Sequence, residues 1–156
     1  MNEALSILVE SLKQNNISLN FKIIEVGALK IQDQDEPFYE LLDYFPSTKI
    51  IGFEIEKEIC EKMNSQAKVG VKYYSHALGK DTEQRKFYIT QNPMCSSLYK
   101  PNEELIKLYN NFEVAYLKKE TKIETISLDY FVEKYEVGYV DFIKIDVQGA
   151  ELDVFK

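Results

Sequence analysis

The segment Phe142-Ile-Lys-Ile-Asp-Val-Gln-Gly-Ala-Glu151 is a hydrophobic strand that delivers an acid and a glycine to the start of a helix. Ligands of open α/β sheets bind where strands end and helices begin, so Asp146, Gln148, Gly149 and Glu151 stand where chemistry gathers. Alternate strand residues face opposite sides, which puts Phe142, Lys144 and Asp146 on one side and Ile143, Ile145 and Val147 on the other. A lysine within so apolar a strand is costly unless paired. Asp146 on the same side, or Glu25 on a neighbouring strand, could be its partner. That predicts an internal polar cluster at the strand end, where perturbed ionisation and function tend to coincide. The alternative is a salt bridge that only fixes strand register.

Three other strand ends carry candidate residues. In Glu25-Val-Gly-Ala28 the glycine lets a ligand approach the backbone, and a following helix start favours an anionic group. Positions 29 to 33 are Leu, Lys, Ile, Gln and Asp, so there is no G-x-G-x-x-G, and a plain strand-ending turn also fits. Gly52-Phe-Glu54 ends in an acid placed to accept hydrogen bonds from the two hydroxyls of an adenosine ribose. It could instead be a solvated carboxylate which, with Glu56 and Glu58, suits the N-terminal dipole of the next helix. Ser75-His-Ala-Leu-Gly79 holds His76, the only histidine. A lone histidine serves structure more often than catalysis, so both roles stay open. Asp33, Asp35 and Glu36 lack the spacing of a calcium loop, and a solvated loop with no metal is expected.

The elements that must position these residues follow from periodicity. Ala4, Leu5, Leu8, Val9 and Leu12 predict an amphipathic helix over 2–14. Residues 21–26, 49–54 and 69–75 read as strands, 28–35 as a polar loop, and 57–67 as a helix. Pro37 opens another helix, with Phe38, Leu41, Leu42 and Phe45 as its apolar stripe. This β-α-β-α-β order with short loops calls for a parallel, doubly wound sheet. The middle departs from that rhythm. Residues 84–90 and 122–127 read as strands that pair with each other or extend the sheet edge. Between them a loop at 91–101 and a helix near 103–116 are expected. A short helix at 128–134 precedes the fourth principal strand, 139–147.

Bulk properties narrow the function classes. A chain of 156 residues with 45% hydrophobic and 29% charged residues fits one soluble domain. Its formal charge of −7 and pI near 4.9 argue against nucleic acid as the main partner. No apolar run reaches the length of a membrane span, and residues 1–13 lack the layout of a secretory signal. Cys60 and Cys95 make no familiar zinc set with the single histidine, and they read as reduced thiols in a cytoplasm. Most of the 11 Tyr and 9 Phe are expected in the core or its walls.

Taken in order, several segments resemble the FkbM-type family of S-adenosylmethionine-dependent methyltransferases. They are Ile24-Glu-Val-Gly-Ala28, Ile51-Gly-Phe-Glu54, His76-Ala-Leu-Gly79, Ser96-Ser-Leu-Tyr-Lys-Pro101, Thr125-Ile-Ser-Leu-Asp129 and Val140-Asp-Phe-Ile-Lys-Ile-Asp-Val-Gln-Gly-Ala-Glu151. The last is the most specific, and the resemblance spans about residues 21–156. It implies an α/β fold with the largely parallel, Rossmann-like methyltransferase sheet. It also implies S-adenosylmethionine as cofactor and transfer of its methyl group to a hydroxyl of a sugar or other small-molecule acceptor. On this resemblance Glu25, Gly27 and Ala28 line the methionine end of the cofactor, Glu54 holds the ribose, and residues around Ala77 approach the adenine. Asp146 stands near the sulfonium and the acceptor, and Asp146, Glu151 and His76 are the candidate bases. A single domain over 1–156 is expected, with a helix and connection at 1–20 and the family-like region at 21–156. It ends before the strands that usually follow the fourth, so that strand would have an open apolar edge through which the chain could form a homo-oligomer. A non-catalytic Rossmann-like binding or assembly domain is the alternative function. A nicotinamide enzyme is disfavoured by the missing glycine fingerprint.

Overall fold

The computed structural model describes residues 3–29 and 34–156. Helix α1 (Glu3–Gln14) leads to strand β1 (Lys22–Val26). A 3-10 turn at Pro37–Glu40 continues as helix α2 (Leu41–Tyr44), followed by strand β2 (Lys49–Phe53), helix α3 (Lys57–Ser65) and strand β3 (Val71–Tyr74). Then come β4 (Ala77–Leu78), β5 (Glu83–Thr90), the short helix α4 (Glu103–Ile106) and β6 (Leu117–Ile126). Helix α5 (Leu128–Lys134), strand β7 (Phe142–Ile145) and helix α6 (Glu151–Val154) complete the order.

The principal strands form one parallel sheet in the order β3-β2-β1-β7, as the alternating pattern requires. The chain lays β1, β2 and β3 outward in one direction, then returns to place β7 on the other side of β1. That reversal creates a crevice beyond the C-terminal ends of β1 and β7, which is where this class of sheet binds ligands. Among the described residues β7 pairs with β1 alone, and Phe142 on it is 49% exposed.

Alternation along the strands sorts the core into two faces. Ile24, Val26 and Phe53 point to one, where Phe131 of α5, fully buried, meets Leu78, Ile126 and Val154. The ring of Phe131 lies 4.6 Å from that of Phe53 and 4.9 Å from that of Tyr74, both edge-on. Ile23 and Ile50 point to the other face, under Tyr39 and Leu42. Ser127 starts α5 by accepting the Tyr130 N–H with its side chain.

The middle of the chain builds a second sheet, β4-β6-β5, in which β5 and β6 pair antiparallel from Glu83↔Thr125 to Thr90↔Leu117. The expected pairing of these strands is therefore present, but β6 begins at Leu117 rather than near 122. The helix expected near 103–116 is corrected to one turn, Glu103–Ile106. Asn102 caps that turn through the Leu105 N–H, but the chain leaves helical geometry and Asn111 adopts φ +63°. Leu105, Leu108, Tyr109 and Phe112 stay exposed, so no tertiary surface rewards a longer helix. The polar loop expected over 28–35 is described only at its ends, and Asp33 lies outside the described residues, as does Asn2 of the first helix. No helix among the described residues is long and apolar enough to cross a membrane.

Candidate active site

The crevice is assembled by two crest turns that touch. Gly27 follows β1 with φ +78°, and a Cβ on it would fall 2.1 Å from the main-chain oxygen of Asp146. Only glycine permits that approach. The contact is held by the Asp146 N–H, which donates to the Val26 carbonyl at 3.0 Å. Gln148 and Gly149 then turn the chain with φ +56° and +96°. The Gln148 side-chain amide donates to Asp146 Oδ1 at 2.6 Å and so orients the carboxylate. Glu151 Oε1 accepts the N–H groups of Val147 (3.2 Å) and Gly149 (3.1 Å), which fixes the turn from its far side. Burial works against the Glu151 charge, but these backbone donors outweigh it and hold its carboxyl below the usual carboxylate range.

Glu54 closes the adjoining strand end. It is only 9% exposed, and one carboxylate oxygen accepts the Glu56 N–H at 2.9 Å. Burial pushes its carboxyl above the ordinary value, and the backbone hydrogen bond only partly offsets this. Gly52 has a separate task. A Cβ there would strike the Tyr73 ring at 2.4 Å, so the missing side chain lets that ring lie over the sheet.

Register lines up Lys144, Glu25, Gly52 and Tyr73 across the four strands. Glu25 is 3% exposed, and its Oε2 accepts the Tyr39 hydroxyl at 2.7 Å, which in turn lies 2.9 Å from the Tyr73 hydroxyl. Lys144 Nζ sits 3.7 Å from Glu25, 3.4 Å from Glu36 and 4.0 Å from Asp146, and it donates to the Gly27 carbonyl. Both partners anticipated for this lysine are thus in place. Burial raises the Glu25 carboxyl above its ordinary range, opposed by Tyr39 and then by Lys144. Lys144→Met should cost about 1–3 kcal/mol near neutral pH, because it strands a buried carboxylate. A carboxyl raised in the folded state adds stability below its unfolded pKa and loses it as pH rises through the folded one. Removing the ammonium raises Glu25 further, so the deficit should widen with pH. Urea midpoints at acid and neutral pH check this, and a deficit independent of pH contradicts it.

His76 and Ala77 enter from the connection after β3. The His76 ring packs near Phe131 and Tyr135, with Nε2 3.3 Å from the Tyr135 hydroxyl. Burial, then the nearby Lys134, holds the imidazolium below its usual range, which favours the neutral ring. Ala77 pairs with Thr125 and joins the crest to the second sheet.

A cavity of about 600 Å³ brings these pieces together, with Gly27, Glu54, His76, Ala77 and Asp146 on its wall. Of the other sequence candidates, Ala28 is buried against Tyr73 and Cys60, and Glu25 lines a smaller neighbouring cavity of about 330 Å³. Leu29 and Glu36 line both spaces. Glu151 holds the turn beneath Asp146 and is not among the lining residues. Sequence reading missed the opposite wall, made of Phe87 and Ile89 of β5, Thr121 and Ile123 of β6, and the loop at 92–98. Only the alternation within each strand hinted at it. Ser97 bridges to Tyr88, which folds that loop along β5. Asp153 of α6 accepts Arg85 at 3.4 Å and the Tyr99 hydroxyl at 3.0 Å, tying the crest helix to the second sheet.

No curated protein and no solved structure matches the chain closely enough for comparison. The family model described as the methyltransferase FkbM domain matches residues 25–156, from the buried glutamate of the first crest to the end of the chain. The match takes in the end of β1, every later strand of both sheets and the crest turns that meet at the cavity, so this chain belongs to the FkbM methyltransferase family.

Proposed function

We propose that the protein transfers the methyl group of S-adenosylmethionine to a hydroxyl of a small-molecule acceptor. The observation that carries this reading is Glu54, a buried carboxylate at the end of the strand beside the topological switch point, on the wall of the main cavity. The donor set fits the cofactor. Among the described residues, Glu36, Glu54, Glu56 and Asp146 line the cavity against the single ammonium of Lys144, a balance that suits a cationic sulfonium and opposes the phosphates of a dinucleotide. Glu54 would accept the ribose hydroxyls, Gly27 would border the methionine end with Ala28 packed behind it and Glu25 on the adjoining smaller cavity, and the chain around Ala77 would meet the adenine. When bound, S-adenosylmethionine supplies an electrophilic methyl group on a cationic sulfur.

The remaining work falls to the chain itself. It must hold the acceptor oxygen in line, and positioning of this kind can supply much of the rate. Asp146 would take the hydroxyl proton, a role supported by its place on the cavity wall and by the Gln148 amide that orients it. His76, favoured as the neutral ring, is a second acceptor for that proton, while Glu151 supports Asp146 through the turn. The free thiols of Cys60 and Cys95 support a cytoplasmic setting.

Thermal unfolding with and without S-adenosylhomocysteine tests the reading. At a hundredfold excess over its Kd the ligand should add about 2.7 kcal/mol of stability, and NAD at the same concentration should add none. Stabilisation by NAD alone contradicts the proposal. Transfer of a radiolabelled methyl group to hydroxyl acceptors then separates catalysis from a binding module.

A further inference from the structure

The charged lining of the cavity is one-sided. Glu36, Glu54, Glu56, His76, Lys144 and Asp146 all come from the parallel sheet and its crest turns. The facing wall, built from β5, β6 and the loop at 92–98, contributes no carboxylate, amine, guanidinium or imidazole among the described residues, and its one titratable group is the Cys95 thiol. Its centre is the directly paired Phe87 and Thr121, with Ile89 and Ile123 two residues along on the same face. The other face of this hairpin carries the Lys86–Glu120 ion pair, at 3.1 Å, in solvent. Strand alternation turns Phe87, Ile89, Thr121 and Ile123 toward the cavity; Arg85 and Lys119 share their face but are not among the lining residues, and Arg85 is held by Asp153 at 3.4 Å. Met94 and Cys95 extend the same uncharged surface.

We infer that this hairpin face is the acceptor subsite, and that the acceptor is an uncharged alcohol or phenol carried on an apolar body. The inference rests on the methyl-transfer reading and deepens it. The charged side is matched to a cationic cofactor, which leaves the opposite wall for the second reactant. A charged acceptor placed there would lose its hydration and find no counter-ion among the described residues that line this wall, the nearby Arg85 being engaged by Asp153. An apolar body gains from burial against Phe87, Ile89 and Ile123. Thr121 is the one hydroxyl that β5 and β6 contribute to the cavity lining among the described residues, and it offers a donor and an acceptor for orienting a neutral polar group.

Calorimetric titration with two matched phenols tests this. The probes are 4-propylphenol and 3-(4-hydroxyphenyl)propanoate, which share their hydroxyl and differ by a terminal carboxylate. The chain saturated with S-adenosylhomocysteine should bind the neutral phenol about tenfold more tightly or better. Ile123→Lys should reverse that preference while S-adenosylhomocysteine affinity stays within about twofold, the latter serving as the control for folding. Thr121→Lys is the second variant if the first does not fold. Equal or tighter binding of the carboxylate by the parent overturns the inference. So does an unchanged preference in a folded lysine variant. If S-adenosylhomocysteine does not bind the parent, the methyl-transfer reading falls, and the phenol preference measured without it still judges the wall.

Discussion

Gly27→Ala should destabilise the protein by roughly 3 kcal/mol and abolish cofactor binding in whatever fraction stays folded. The added methyl group would sit 2.1 Å from the Asp146 carbonyl oxygen, a backbone atom that cannot swing aside as a side chain can. Its φ of +78° adds strain that every residue with a Cβ must bear. Relief requires the β1 and β7 crests to move apart, which breaks the hydrogen bond from the Asp146 N–H to Val26 and displaces the carboxylate proposed as base. Urea unfolding should give a lower midpoint with an unchanged slope. Parent-like stability together with parent-like ligand affinity would show that the crests are free to separate without cost.

Glu54→Gln should behave in the opposite way, keeping the fold and losing the ligand. Hydrogen bonds to a charged group contribute about 1.5–3 kcal/mol, so S-adenosylhomocysteine affinity should fall by roughly 10–100-fold. The fold should be as stable as the parent or slightly more so near neutral pH, because burial opposes the Glu54 charge and the amide removes it. The pH dependence has a definite sign. Hydroxyl groups donate to the ionised carboxylate, so parent affinity should weaken as the solution is acidified through Glu54's raised pKa. The stability contributed by a raised carboxyl runs the other way, being present at low pH and lost as pH rises. The glutamine variant should show neither trend at this position.

Much of the crest was legible because its information is local. The runs Ile23-Ile24 and Ile50-Ile51 mark buried strands, and an acid or glycine follows each within three residues. Parity alone put Lys144 and Asp146 on one side, and the need to pair a half-buried ammonium named Glu25 before the register was visible. Other features depend on register or on backbone direction, which no short window contains. The clash that makes Gly27 obligatory involves an atom 119 positions away in sequence, the Asp146 carbonyl oxygen. Glu151 looks like a free acid beside a ligand turn. The left-handed conformations of Gln148 and Gly149 instead aim backbone N–H groups at it.

The apolar wall failed to show for a related reason. Phe87 and Thr121 meet only because β5 and β6 pair antiparallel, and the polar run Lys118-Lys-Glu-Thr-Lys122 hides the strand that carries Thr121. The segment at 103–116 misled in the opposite direction. Leu105, Leu108, Tyr109 and Phe112 have helical spacing, but they face solvent, and spacing alone does not stabilise a helix that packs on nothing. Local pattern therefore named the crest side of the cavity, and tertiary pairing made the other side.

The central claim is that the cavity receives S-adenosylmethionine through Glu54. Calorimetric titration of the parent and Glu54→Gln with S-adenosylhomocysteine, repeated on acidification, tests it most directly. The account predicts micromolar-range binding to the parent that weakens in acid, with the variant weaker and flat. Equal affinity in the two proteins at every pH would remove Glu54 from the site and contradict the account.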